Sequence, residues 1–125
     1  MNQFPKKENK YDLEERTAKF GGRIVKLCKE LKGDSLIQPL LIQLIRSGTS
    51  VGANYMEANG ASSKKDFRNK IFISKKEIQE SKHWLRLIDE YTESKIEEVS
   101  FLRQEAQELT LIFQKITSSL DKNDN

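Results

Sequence analysis

Residues 44–84 read LIRSGTSVGANYMEANGASSKKDFRNKIFISKKEIQESKHW, and the fold turns on this stretch. Its first half carries small and polar residues where a helix core normally holds large apolar ones. Its second half is crowded with Lys and Arg. Ile37, Leu41, Leu44, Gly48, Val51, Tyr55 and Ala58 recur at three-four spacing, the stripe of a helix buried on one face. Beside that seam Arg46, Ser50, Ala53, Asn54 and Glu57 form a polar stripe at helical spacing. Asn59-Gly60 stops the helix. Ser62 or Ser63 then offers an N-cap, with Asp66 in the first turn of the next helix. Its seam is Phe67, Ile71, Ser74, Ile78, Ser81, Leu85 and Ile88. In a neighbouring row of Ile73, Trp84, Leu87 and Tyr91, Glu77 and Glu80 stand where apolar residues belong. They are therefore expected to face Arg46 or Asn54 in a partly buried polar layer, one that sets register more than stability.

Working outward, Leu13, Thr17, Phe20, Ile24, Leu27 and Leu31 give a first helix the same three-four spacing, with Asp12 as its expected N-cap and Glu15 completing the pattern. Val25 and Cys28 widen the stripe, and Cys28 reads as a small core residue rather than a nucleophile. Gly21 and Gly22 predict close passage of another helix, and Lys32-Gly33 ends the element. The second helix should open with Asp34 or Ser35 as N-cap and Pro39 near its first turn, with Leu36, Leu40 and Ile45 as a further apolar row. A fourth helix starts after Ser94, on the seam Val99, Leu102, Ala106, Leu109, Phe113, Ile116 and Leu120. The spacing thus predicts helices over about 12–32, 35–59, 63–92 and 95–120, a flexible N-terminal arm over 1–10, and a disordered tail over 121–125. The fold class is all-α: an antiparallel up-down-up-down four-helix bundle spanning 11–120.

The totals suit that architecture. A chain of 125 residues is about one domain, and 36% apolar with 33% charged residues fits helices with one buried stripe and a wide wet face. Net charge is only +3, but it is unevenly placed. Residues 1–32 hold nine Lys/Arg against five Asp/Glu, residues 63–92 eight against five, and residues 93–125 four against seven. One cysteine rules out an internal disulfide, and one histidine rules out a Cys/His zinc set. MNQFPKKENK has no apolar run of a signal peptide, and no stretch approaches the ~18 apolar residues of a membrane span. A cytoplasmic, reduced protein without cofactor or membrane partner is the expectation.

The run Gln43-Leu44-Ile45-Arg46-Ser47, then Ser50-Val51-Gly52-Ala53-Asn54, Glu57-Ala58, and Ser63 with Asp66-Phe67 resembles the four-helix-bundle proteins encoded by intervening sequences of bacterial 23S ribosomal RNA genes. The helix KIFISKKEIQESKHWLRLI and the segment DLEERTAKFGGRIVKL extend the resemblance over about residues 12–118. It implies a homopentamer in which bundles stand side by side as a barrel. A related branch, the accessory protein of diversity-generating retroelements, implies nucleic-acid binding and a nucleic-acid-handling protein as a further partner.

Three readings of function compete. A non-enzymatic oligomer that binds RNA or DNA rests on the basic ridge Lys64, Lys65, Arg68, Lys70, Lys75 and Lys76, with a second ridge of Lys19, Arg23 and Lys26. No base-reading pattern accompanies them, so binding should be sequence-tolerant. A structural or adaptor protein would instead use the polar stripe and the surplus apolar residues Phe72, Phe101 and Leu111 as subunit interfaces. An enzyme would need Glu57, Glu77, Glu80 and His83, but the Glu-x-x-His spacing of a di-metal bundle occurs once, at Glu80 and His83, and is required twice. No catalytic or metal-binding residue is therefore assigned.

Overall fold

The computed structural model describes residues 10–123, apart from the side chains of residues 10–12 and 123. Of the arm expected over 1–10, residues 1–9 lie outside that range, as do the last two residues of the expected tail; the first helix already includes Lys10, so Asp12 stands inside it rather than capping it. Four helices account for nearly all of it: α1 (Lys10–Leu31), α2 (Gln38–Asn59), α3 (Lys64–Tyr91) and α4 (Glu97–Asn123), with no strand among the described residues. Each helix packs on its neighbour in chain order, and α4 closes back on α1 through a lighter contact.

Cross-helix partners reveal the direction of each helix. Along α3 and α4, Arg68 meets Asp121, Lys75 meets Gln114 and Lys82 meets Gln107. Seven residues forward on one helix thus match seven back on the other, which is an antiparallel pair. Arg16 with Glu105 and Arg23 with Glu98 give the same sense for α1 and α4. The turns between helices are only four to six residues long, too short for any parallel return.

The core is one cluster down the middle, from Phe20, Ile24 and Leu27 of α1 to Leu102, Leu109 and Phe113 of α4. Tyr55 stacks on Phe113 with ring centroids 5.7 Å apart, so α2 and α4 touch across the bundle diagonal. Three serines lie inside as well. Ser47 and Ser81 hydroxyls share a 2.8 Å hydrogen bond, and Ser74 Oγ donates to the Val51 carbonyl at 3.0 Å. Small hydroxyl residues allow α2 and α3 to approach closely while each of these three hydroxyls stays bonded. Cys28 is buried, donates its thiol toward the Leu41 carbonyl, and has its pKa pushed up to about 11 by burial. An inert core thiol is the result.

Several sequence expectations need correction. α2 starts at Gln38 rather than 35. Asp34 Oδ1 accepts from the Leu36 amide and its carbonyl from the Ile37 amide, so 34–37 form a turn, and Ile37 is pulled into the core as the cap residue. Pro39, lacking an N–H, then falls at the helix start. α4 starts at Glu97 rather than 95, because the Ile96 carbonyl accepts from Val99 and Ser100, while Ser94 makes no capping bond among the described residues. Residues 121–123 are helical rather than disordered, and Asp121 is held by Arg68. Leu36, Ile45 and Val25 are exposed, not part of the core. Gly33 follows α1 without a left-handed φ. Ser63, by contrast, does accept from the Asp66 amide at 3.0 Å.

The glycines divide sharply. A Cβ on Gly48 would meet Ile24 Cδ1 at 2.4 Å, and one on Gly21 would meet the Gly48 carbonyl at 3.3 Å, whereas one on Gly22 meets nothing within 4 Å. Close helix passage thus explains Gly48 and Gly21 but not Gly22. Gly22→Ala is expected to stabilise the fold by ~0.5–1 kcal/mol through helix propensity. Gly48→Ala should instead destabilise by ~1–3 kcal/mol, since Ile24 is fully packed and has little room to yield. Denaturant midpoints of the two variants, compared at one protein concentration, check the opposite signs.

Candidate nucleic-acid interface

α3 carries its cations on two different flanks, and the core seam decides which. With Ile71, Ser74, Ile78 and Leu85 turned inward, Lys64, Arg68, Lys75, Lys82 and Arg86 follow one another at steps of four and seven along the flank that meets α4. Lys65 and Lys76 lie one step further round, on the outer surface. Lys70 falls on the opposite flank, where its ammonium sits 2.7 Å from Glu57 Oε1 of α2 and has its pKa raised by that hydrogen bond. The ridge read from the sequence therefore loses Lys70 and gains Lys82 and Arg86. Their spacing of seven and eleven from Lys75 is the signal in the sequence, and the run of adjacent lysines masks it.

The partners of these cations matter as much as their positions. Arg68 is ion-paired to Asp121 at 2.6 Å. Arg86 pairs with Glu90 on its own helix at 3.2 Å. Lys75 and Lys82, however, donate to the side-chain amides of Gln114 and Gln107. An amide accepts the hydrogen bond without cancelling the charge, so both ammonium groups are held in place yet remain un-neutralised. Lys65 and Lys76 are exposed and make no ion pair among the described residues. Further along, Lys82, Lys95 and Arg103 border a shallow pocket with Asp89, Ser100 and Gln104, and Asp89 takes the Arg103 guanidinium at 2.8 Å.

The second ridge is weaker. Arg23 of α1 makes a two-pronged contact with Glu98, both bonds 2.8 Å, and its guanidinium lies 3.8 Å from the centre of the Phe101 ring. The Arg23 hydrogen bond holds the Glu98 carboxyl below its ordinary range. Lys19 and Lys26 stay exposed beside it.

In the polar layer, Arg46 spans Glu80 at 2.5 Å and Glu77 at 3.5 Å, Glu77 being only 13% exposed. The other three expected members turn elsewhere. Ser50 donates to the Arg46 carbonyl and Asn54 to the Ser50 carbonyl, each within α2, and Glu57 holds Lys70. A carboxylate pair clamped by an arginine is a poor acid–base site. His83 is exposed and lies edge-on to Trp84, and no cluster of three or more His, Cys, Asp or Glu among the described residues could hold a metal.

A different feature lies on the far side of the molecule. Ala18, Gly21, Gly22 and Val25 of α1 with Thr49, Gly52, Ala53 and Met56 of α2 line an open, mainly apolar groove of about 640 Å³. Ile42 and Ile45 continue the apolar strip toward the start of α2. Gly21, Gly22 and Gly52 all border this groove, but small residues leave no hydrophobic signal to read.

Comparison with known proteins bears on the family and the fold. The family model of the 23S rRNA-intervening sequence protein matches residues 4–115. Among solved structures, a protein of unknown function from the S23 ribosomal protein family of Bacteroides thetaiotaomicron VPI-5482 superposes with a TM-score of 0.77. It is 33% identical, over 83% of this chain and 96% of that one. No curated protein matches the chain.

Proposed function

The chain belongs to the 23S rRNA-intervening sequence protein family, and from that premise we propose that it is a non-enzymatic, oligomeric helical-bundle protein that binds RNA or DNA through its α3/α4 face. The carrying observation is the pair Lys75 and Lys82, fixed by neutral Gln114 and Gln107 rather than by carboxylates. Lysines meant only to solvate a helix or to bridge two helices would gain from an acidic partner, as Lys70 does with Glu57. Here the cross-helix contact positions the charge and leaves it available to a phosphate. The Gln107 and Gln114 amides, the paired donors and acceptors on this face, have their oxygens engaged by Lys82 and Lys75, so the contact is with the backbone and tolerates sequence. No described helix is long and apolar enough to cross a membrane, and the proposed place of action is the cytoplasm.

The test is a gel-shift series with RNA and DNA across increasing salt. Binding should be tightest at ~50 mM salt and fall steeply and smoothly above it. Lack of any shift at the low-salt end removes this reading.

Assembly is favoured by a separate observation, the apolar α1/α2 groove with Met56 65% exposed at its edge. Self-association there, as the homopentamer that the sequence resemblance implies, would cover surface that a monomer leaves wet. Should the nucleic-acid test fail, a structural or adaptor role through this surface is the remaining reading. Light scattering at micromolar concentration checks it, and a monomeric mass removes it.

A further inference from the structure

We infer that Phe72 is a stacking platform for an unpaired base, so that the ligand of the α3/α4 face is single-stranded rather than duplex nucleic acid; this rests on the nucleic-acid reading above. Phe72 lies off the α3 seam, between buried Ile71 and Ser74, and is 37% exposed. Its neighbours on the helix surface are four cations. Arg68 stands one turn before it, Lys75 and Lys76 one turn after, and Lys65 two turns before. The Arg68 guanidinium carbon is 4.8 Å and the Lys75 ammonium 5.5 Å from the ring centre. At the remaining adjacent position is Asn69, so no carboxylate on α3 borders the ring. Asp121 reaches this group from α4 and holds Arg68.

A solvated basic helix has no need of an aromatic ring in the middle of its charges. Neither does a duplex binder, since duplex bases cover one another's faces and show only phosphates and groove edges. An unpaired base has a free π-face, and proteins that hold single strands combine such rings with cations along the backbone. The distances suit that use. Along the α3 axis the cations lie about 6 and 10 Å to one side of Phe72 and about 4.5 and 6 Å to the other. A nucleotide whose base lies on the ring would thus have its preceding and following phosphates each within reach of a pair of cations. The Arg68 guanidinium lies over the ring, and its own plane offers a second surface for a base.

The experiment uses fluorescence anisotropy with labelled oligo-uridine, oligo-thymidine and a mixed-sequence duplex, on the wild-type chain and on Phe72→Leu and Phe72→Trp. Leucine keeps the apolar bulk and removes the π-face. The wild type should prefer the single strands, and Phe72→Leu should bind them roughly five- to a hundredfold more weakly. The salt slope should not change, because no charge has been removed. Phe72→Trp should restore affinity, and its emission should be quenched on binding. Circular dichroism and light scattering should be the same for all three proteins.

Three results overturn the inference while leaving the broader reading intact: a preference for the duplex, equal single-strand binding by Phe72→Leu, or a change of assembly mass in that variant, which would make Phe72 a subunit contact. Failure of the wild type to bind any of the three probes overturns both.

Discussion

Glutamine at Lys65, Lys75, Lys76 and Lys82 together is expected to weaken nucleic-acid binding by one to two orders of magnitude at low salt and to flatten its salt dependence. These four are chosen because none holds a carboxylate. Lys75 and Lys82 rest on Gln114 and Gln107, and Lys65 and Lys76 make no ion pair among the described residues. Their removal leaves no buried or partly buried acid without a partner, so folding should be unaffected. If each lysine neutralises one phosphate of a single strand, the four contribute a slope of about −2.8 in log affinity against log salt. Raising salt from ~50 to ~200 mM would then cost the wild type about fiftyfold more than the variant. Net charge changes as well, so a charge-matched control is needed. Glutamine at Lys19, Lys26, Lys29 and Lys32 removes the same charge from α1 and the turn just after it, where the ridge is already drained by the Arg23–Glu98 pair. That control should lose much less affinity. Equal losses in the two variants would mean that overall charge, not the α3/α4 face, drives binding, and a wild-type slope in the first variant would exclude these lysines altogether.

The difference between Lys70 and Lys75 shows where the sequence could be read and where it could not. Three-four spacing of apolar residues marks four helices and most of the core, because burial is periodic and each seam is long enough to outweigh local exceptions. Ser63 with Asp66 is legible for a similar reason, since a cap uses only contacts within four residues. Helix starts at Gln38 and Glu97 are not legible locally, because Ile37 and Ile96, drawn inward by the core, override better local caps at Asp34, Ser35 and Ser94. The site is harder still. Whether a lysine is neutralised depends on which residue of another helix stands opposite, and that follows from a register no single seam contains. Lys70 meets Glu57 while Lys75 meets Gln114. The seam at Ile71 and Ser74 sets which flank each lysine takes, but not which residue of the other helix stands opposite.

The same register, and with it the α3/α4 face, depends on what fills the middle of the bundle, and Phe113→Ala should show this most strongly. Phe113 is fully buried on α4 and stacks on Tyr55 of α2 across the diagonal, where the two helices otherwise do not pack as neighbours. Truncation removes a large apolar side chain, the ring–ring contact and much of that diagonal contact. The surrounding Ile, Leu and Tyr side chains come from rigid helices and can close the gap only in part. A loss of ~3–5 kcal/mol is expected, a large share of the ~5–15 kcal/mol that holds a domain of this kind together. Two positions earlier on the same helix, Leu111 is 59% exposed, and Leu111→Ala should stay within ~0.5 kcal/mol. Urea unfolding followed by circular dichroism, at one protein concentration so that any assembly is held constant, gives both values. A Phe113→Ala loss no larger than that of Leu111→Ala would mean that the diagonal contact is dispensable. The lateral helix pairs alone would then set the register that holds Lys75 against Gln114 and Lys82 against Gln107.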